Sequence, residues 1–166
     1  PALSAMGRKI VPTGELGSAS VLKVITNYLA SVNLISIGEA LTVAKKTGMD
    51  LKTTYDAIKI SSGNSFVHET ESQVILNGSY NISFTMDLVL KDMGLFNDLS
   101  VKNKIPLELS PLVLKIFKDG QKKYGPRAWS SMIVKRLEDA CNISLRAQGF
   151  PAELTDSEPE EKGHQI

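Results

Sequence analysis

Cysteine, histidine and long apolar runs are all scarce in this 166-residue chain. Its one cysteine, Cys141, rules out an internal disulfide, and its two histidines lie far apart, so no metal site is predicted. No run reaches the roughly 18 consecutive apolar residues of a membrane span, and no signal-peptide pattern opens the sequence. A cytoplasmic protein with no membrane partner is therefore expected.

An excess of charge of one sign is also lacking, because 19 Lys and Arg residues face 18 Asp and Glu residues. This balance gives no electrostatic reason to expect a nucleic-acid partner. No G-x-G-x-x-G motif follows a strand and no Walker loop occurs, so most of any nucleotide site would lie outside this sequence. The 42% of hydrophobic residues is typical of one globular domain with a buried core.

Helical periodicity dominates the remaining pattern. A long helix is predicted from about Ser18 to Lys46, with Gly48 as its left-handed cap. Further helices are predicted at 51–60, 65–76, 86–103, 109–124 and 128–147. The predicted fold class is therefore all-α, preceded by a short helix and strand and followed by an acidic, flexible tail at 151–166.

The long helix is apolar nearly all round, yet it carries a narrow polar line. Ser20, Lys23, Asn27 and Ser31 recur at spacings of three and four residues, which places them on one face. In one interpretation, Lys23 extends to solvent and Asn27 bonds a neighbouring loop. In the other, the line borders a cleft, which disfavours the ammonium form of a lysine and makes it a usable general acid or base.

The start of this helix resembles the signature of the β-hydroxyacid dehydrogenase family. That family includes 3-hydroxyisobutyrate dehydrogenase, tartronate semialdehyde reductase, glyoxylate/succinic semialdehyde reductase and, more distantly, 6-phosphogluconate dehydrogenase. The stretch GELGSASVLKVITN, from Gly14 to Asn27, resembles G-x-x-G-x-G-x-x-x-K-x-x-N-N. Two positions depart from it, since Ala19 replaces a glycine and Thr26 an asparagine, and the second change puts the substrate hydrogen bonds in doubt.

Two later motifs extend the resemblance in the same order. Ser61-Ser62-Gly63 resembles the S-S-G loop of the family. Phe84 followed by Lys91-Asp92 resembles the F-x7-D spacing and K-D block of the glyoxylate reductase branch. Together the three motifs cover most of the chain, from about Met6 to Ala147.

The resemblance implies a domain organisation. Residues 1–13 would be the last helix and strand of a Rossmann NAD(P)-binding domain, a remnant that precedes the helical domain. Residues 14–150 would form a helical substrate-binding and dimerisation domain like the C-terminal domain of 6-phosphogluconate dehydrogenase, and 151–166 the tail. NAD or NADP would be bound mainly by the missing Rossmann domain, so the chain alone is expected to be inactive.

The resemblance also implies residue roles. Lys23 would be the catalytic proton-transfer group, while Asn27, Ser62, Gly63 and Phe84 would bind substrate. Lys91 and Asp92 would lie near the cofactor. The alternatives remain open: helix capping for the Ser62-Gly63 loop, core packing for Phe84, and an exposed pair for Lys91 and Asp92.

The implied function is NAD(P)-dependent hydride transfer to or from a small β-hydroxyacid or semialdehyde, in a homodimer or tetramer formed through the helical domain. The alternative is a non-catalytic helical dimerisation module. The polar line on the long helix argues against it, because a helix that served only as an interface would favour leucine or alanine at those positions. A third option is an imine-reductase-like relative. By resemblance, that branch has another residue at the position of Lys23.

Overall fold

The chain is mostly helical, as the computed structural model shows for residues 2–156, 158–159 and 161–166. Seven α-helices, one 3-10 helix and two short strands occur in these ranges. In chain order they are α1 (Ala2–Met6), β1 (Lys9–Ile10), α2 (Ser18–Lys46), α3 (Leu51–Lys59), α4 (Phe66–Asn77), α5 (Met86–Lys102), α6 (Leu109–Tyr124), the 3-10 helix (Ser130–Val134), α7 (Lys135–Cys141) and β2 (His164–Gln165).

The chain divides into two compact units, and the smaller one joins Pro1–Lys23 to Thr155–Ile166. Within it, β1 and β2 form a parallel two-stranded sheet in which Lys9 lies opposite His164. The guanidinium of Arg8 donates to the carboxylate of Asp156 at 2.9 Å. The sequence predicts a flexible tail at 151–166, whereas the structure places strand β2 near its end. The sequence does not reveal this strand, because pairing with a distant segment leaves no recognisable pattern in so few residues.

The larger unit, Val24–Leu154, contains the apolar core. The second half of α2 contributes to it through Leu34, Ile37 and Leu41, whose spacings of three and four residues place them on one buried face. The largest apolar side chains that are less than 2% exposed are Leu41, Val74, Ile75, Leu76, Met86, Met93, Val113, Phe117 and Leu145.

Most helix boundaries follow local signals that the sequence predicts. The carboxylate of Asp50 accepts a hydrogen bond from the backbone N–H of Thr53 at 2.7 Å and caps α3. The hydroxyl of Ser65 caps α4 by accepting from the N–H of His68 at 3.0 Å. Gly48, at φ +83°, has the left-handed conformation expected after α2.

The last predicted helix, 128–147, is wrong in extent. The segment contains the 3-10 helix and α7, and Asn142 ends α7 in the left-handed region at φ 50°. Tertiary bonds replace the helical ones, since Leu145 donates its N–H to the buried carboxylate of Glu138 at 2.7 Å. Ala147 likewise donates to the carbonyl of Leu76 at 3.0 Å. These remote acceptors give the backbone an alternative to further helix.

Helix α2 is 29 residues long and meets the length and composition requirements of a membrane-spanning helix. The sequence contains no uninterrupted apolar run of this length. The helix qualifies because its mean hydropathy is high despite the polar residues within it. Core helices of globular proteins share both properties, and Leu34 and Leu41 of α2 are buried in this protein. Length and composition therefore do not assign α2 to a membrane.

Candidate functional site

Side chains from α2 and α5 bring three of the predicted site residues together. Nδ2 of Asn27, on α2, donates to Oδ2 of Asp92, on α5. Nζ of Lys91 lies 3.1 Å from the other oxygen of the same carboxylate, Oδ1. These three residues are termed the amide–carboxylate cluster. The cluster joins two motifs that lie 65 residues apart in the sequence.

Exposure differs sharply between the two charged members of the cluster. The side chain of Asp92 is 14% exposed, whereas that of Lys91 is 62% exposed. The carboxylate is therefore mostly covered by protein, while the ammonium group remains accessible to a ligand. The hydroxyl of Ser31, one turn after Asn27, donates to the backbone carbonyl of Asn27 at 2.9 Å and extends the polar line.

An aromatic pair beside the cluster was not predicted from the sequence. The rings of Tyr28 and Phe96 stack with centroids 4.0 Å apart and planes 6° apart. Tyr28 follows Asn27 directly, and Phe96 lies one helical turn after Asp92. The stack therefore holds α2 against α5 next to the hydrogen-bonded amide.

Lys23 is an exposed residue of α2 and falls in the smaller unit. The amide–carboxylate cluster belongs to the larger unit. The catalytic role of Lys23 therefore stays a prediction that follows from the motif.

The turn that contains Ser62 and Gly63 connects α3 to α4 and is exposed. Local hydrogen bonds shape it, because the N–H of Gly63 donates to Oγ of Ser61 at 3.2 Å. The side-chain amide of Asn64 donates to Oε1 of Glu69 at 2.7 Å, which ties the turn to α4. These contacts favour the capping interpretation, and the binding of a substrate carboxylate here stays a prediction.

Phe84 lies just before α5 and packs, partly buried, against the apolar core. Its carbonyl accepts a hydrogen bond from the N–H of Ser130 at 2.8 Å. The neighbouring Thr85 pairs with Trp129, which also packs against the core. The core-packing interpretation of Phe84 is thereby favoured, and its contact with substrate stays a prediction.

The donor set of the amide–carboxylate cluster fits one edge of a dinucleotide. The accessible ammonium of Lys91 suits a phosphate or ribose oxygen, and a carboxylate such as that of Asp92 accepts from a hydroxyl. Within the described ranges, no group of three or more His, Cys, Asp or Glu side chains could hold a metal ion.

Comparison with known proteins places the chain in a family. The model described as the NAD-binding domain of NADP-dependent 3-hydroxyisobutyrate dehydrogenase matches residues 17–137. The 2-(hydroxymethyl)glutarate dehydrogenase of Eubacterium barkeri is 30% identical over 146 residues, which are 87% of this chain and 48% of that protein. The L-threonate dehydrogenase of Haemophilus influenzae is 30% identical over 135 residues, 80% of this chain and 45% of that protein.

A solved structure agrees with these relatives. The crystal structure of 3-hydroxyisobutyrate dehydrogenase from Salmonella typhimurium superposes with a TM-score of 0.67 at 28% identity. The match covers 72% of this chain and 42% of that one. The chain spans about half the length of the curated relatives it matches. Because the family model covers residues 17–137 of 166, the chain belongs to the NAD-binding 3-hydroxyisobutyrate dehydrogenase family.

Proposed function

We propose that this chain is the helical, C-terminal part of an NAD(P)-dependent dehydrogenase that interconverts a small β-hydroxyacid and its semialdehyde. The observation that carries the proposal is the hydrogen bond from Asn27 to Asp92, because it joins the signature on α2 to the Lys-Asp block on α5. Family membership and relatives named as dehydrogenases of hydroxyacids support the same reaction class.

We further propose that residues 14–150 form the substrate-binding domain and that residues 1–13 complete a Rossmann domain supplied by the rest of the protein. The coverage of about half of each relative supports this division. When bound, NAD or NADP supplies the hydride acceptor or donor. Lys91 and Asp92 would hold one edge of this cofactor. The 166-residue chain alone would turn over no substrate, and calorimetry that detects micromolar NAD(H) affinity for it would contradict this.

In this proposal the residues of the chain orient the substrate and move its proton. Nζ of Lys23 accepts the proton of the substrate hydroxyl during oxidation and returns it during reduction. The positive charge that results stabilises alkoxide character at the same oxygen. Asn27 binds the substrate one turn later on α2, backbone groups of Ser62 and Gly63 bind its carboxylate, and Phe84 covers the pocket.

The test of this role is Lys23→Ala in the full-length enzyme. We expect kcat to fall by about 10²- to 10⁴-fold, the usual contribution of a general acid-base group. Lys45→Ala is the matched control, since Lys45 is another exposed lysine of α2. A fall of less than tenfold in a folded Lys23→Ala variant would contradict the assignment.

A second proposed role is self-association through α2, as a homodimer or tetramer. Leu22, Ile25 and Leu29 recur at spacings of three and four and are 43%, 38% and 51% exposed. An apolar stripe of this kind favours burial against a second copy. This role also accommodates the alternative function, a dimerisation module without catalysis.

Size-exclusion chromatography of the full-length protein at several concentrations tests the assembly. Leu29→Lys should shift the protein toward the monomer, whereas Val101→Lys, at a position 69% exposed on α5, should not. A wild-type monomer at all concentrations would contradict self-association. A cytoplasmic location, and the lack of nucleic-acid and membrane partners, remain proposals that rest on composition.

A further inference from the structure

The smaller unit, which joins Pro1–Lys23 to Thr155–Ile166, has no core of its own among the residues that the structure describes. None of its described residues is buried, and α1 leaves Leu3 64% and Met6 82% exposed. A two-stranded sheet is at best marginally stable in water, and parallel strands normally lie in sheets that are covered on both faces. Strands β1 and β2 therefore require further protein against them.

The hydrogen bonds of the sheet show which edge of β1 is open. The carbonyls of Arg8 and Ile10 each accept a hydrogen bond, at 3.1 Å, from a backbone N–H in β2 or directly after it. The backbone groups of successive residues in a strand point to opposite edges. Lys9 and Val11 therefore direct their N–H and C=O groups away from β2. An edge of this kind is a template for another strand.

The C-terminal segment fits closely against the start of the chain. Just before β2, Gly163 donates its N–H to the carbonyl of Ser4 at 2.9 Å. A Cβ at Gly163 would collide with the backbone carbonyl of Gly7 and would lie 3.2 Å from Cα of Ser4. Backbone atoms cannot turn aside as the end of a flexible side chain can. The pairing of β2 with β1 therefore depends on glycine at this position.

We infer that β2 is the outermost strand of the sheet of the nucleotide-binding domain. In that sheet β1 is an inner strand, and its other edge pairs with a strand from the part of the protein outside this chain. The inference rests on the proposed function, in which residues 1–13 complete that domain. The side chain of Val11, 55% exposed, suits a covered position in such a sheet. Residues 155–166 thus return the chain from the helical domain to the nucleotide-binding domain.

Hydrogen exchange in the full-length protein, resolved to single amides, tests both edges of β1. The amides of Lys9 and Val11 face the added strand, and those of His164 and Ile166 face β1. We expect all four to exchange about tenfold or more slowly than in an unstructured peptide of the same sequence. Fast exchange at the first two would mean that no strand covers the outer edge. Fast exchange at the last two would mean that β2 does not join the sheet, and either result would overturn the inference.

Gly163→Ala separates the two edges. Its added methyl group should speed exchange at His164 and Ile166 by about tenfold or more, while the two amides of the other edge stay protected. Lys162→Ala is the matched control, because it alters an exposed neighbour and keeps the glycine, and it should change none of the four rates. Wild-type rates in Gly163→Ala would overturn the inference.

A shortened protein that ends at Leu154 covers the case in which Gly163→Ala does not fold. Loss of a sheet strand should lower the Tm of the full-length protein by roughly 4 °C or more. Loss of a free tail would leave the Tm unchanged, and that result would overturn the inference.

Two further outcomes identify the partner strand and keep the proposals distinguishable. Protection of Lys9 and Val11 that disappears on dilution to the monomer would make a second copy the partner and would overturn the inference. If all four amides are protected in the monomer but the wild type oxidises none of 3-hydroxyisobutyrate, L-threonate and 2-(hydroxymethyl)glutarate, the assigned reaction fails while the placement of β2 stands.

Discussion

Tyr80 donates its phenolic hydrogen to the carboxylate of Glu138, and both residues are buried. Arg146 completes the network, donating to Oε1 of Glu138 at 3.0 Å and to the hydroxyl of Tyr80 at 2.9 Å. Burial and the bond to Glu138 both raise the pKa of Tyr80 above its usual value. One carboxylate thus links the loop before α5, helix α7 and the segment that follows α7.

Removing this carboxylate should destabilise the protein strongly. Glu138→Ala leaves the guanidinium of Arg146 and the hydroxyl of Tyr80 without their shared acceptor, and we expect the free energy of unfolding to fall by about 3 kcal/mol. Tyr80→Phe removes a single hydroxyl and should cost about 1 kcal/mol. Denaturant unfolding measures both values, and wild-type midpoints in both variants would contradict the structural role of the network.

Two helical glycines should respond oppositely to alanine. A Cβ at Gly38, on α2, would lie 2.7 Å from Cγ2 of Val134, a stiff neighbour, so Gly38→Ala should destabilise the protein by about 1 to 3 kcal/mol. A Cβ at Gly94, on α5, would meet nothing within 4 Å, so Gly94→Ala should stabilise by about 0.5 to 1 kcal/mol.

Val134→Ala provides the check on the cause of the Gly38 effect. In the double variant the methyl groups that crowd position 38 are gone, so part of the lost stability should return. Purely additive losses in the free energy of unfolding would mean that the contact with Val134 is not responsible.

Stability should also depend on pH through Glu71 on α4. Its Oε2 is buried without a hydrogen-bond partner among the described residues, and burial raises the pKa of Glu71 to about 7. The unfolded chain has a lower value, about 4.3 for glutamate, so the folded state binds more protons between these values. The stability due to the protonated form is therefore complete below about pH 4 and is lost as the pH rises through 7.

Glu71→Gln removes this titration. Its Tm should exceed that of the wild type by an amount that grows between about pH 5 and pH 8. Glu108→Gln, at an exposed position just before α6, should show no such trend. A Tm difference for Glu71→Gln that stays constant over this range would contradict the assigned pKa.

Local signals explain which parts of the fold the sequence predicts. Asp50 and Gly48 act on neighbouring residues, so the end of α2 and the start of α3 follow from the sequence. The end of α7 does not, because the carboxylate of Glu138 and the carbonyl of Leu76 take over backbone donors of the following segment. Strand β2 likewise depends on a partner at the other end of the chain.

The same distinction holds at the candidate site. Motif order predicts Asn27, Lys91 and Asp92 as site residues, but periodicity within α2 or α5 cannot predict that the amide meets the carboxylate. The contact of Tyr28 with Phe96 was missed for the same reason. Aromatic residues placed next to, or one turn from, two candidate polar residues are a signal that could have suggested it.

The stacked rings of Tyr28 and Phe96 also limit how the protein can open. The stacked faces of the two rings resist separation, so α2 and α5 should move together at this level. Any movement that admits a ligand should then occur in exposed segments, such as the turn between α3 and α4.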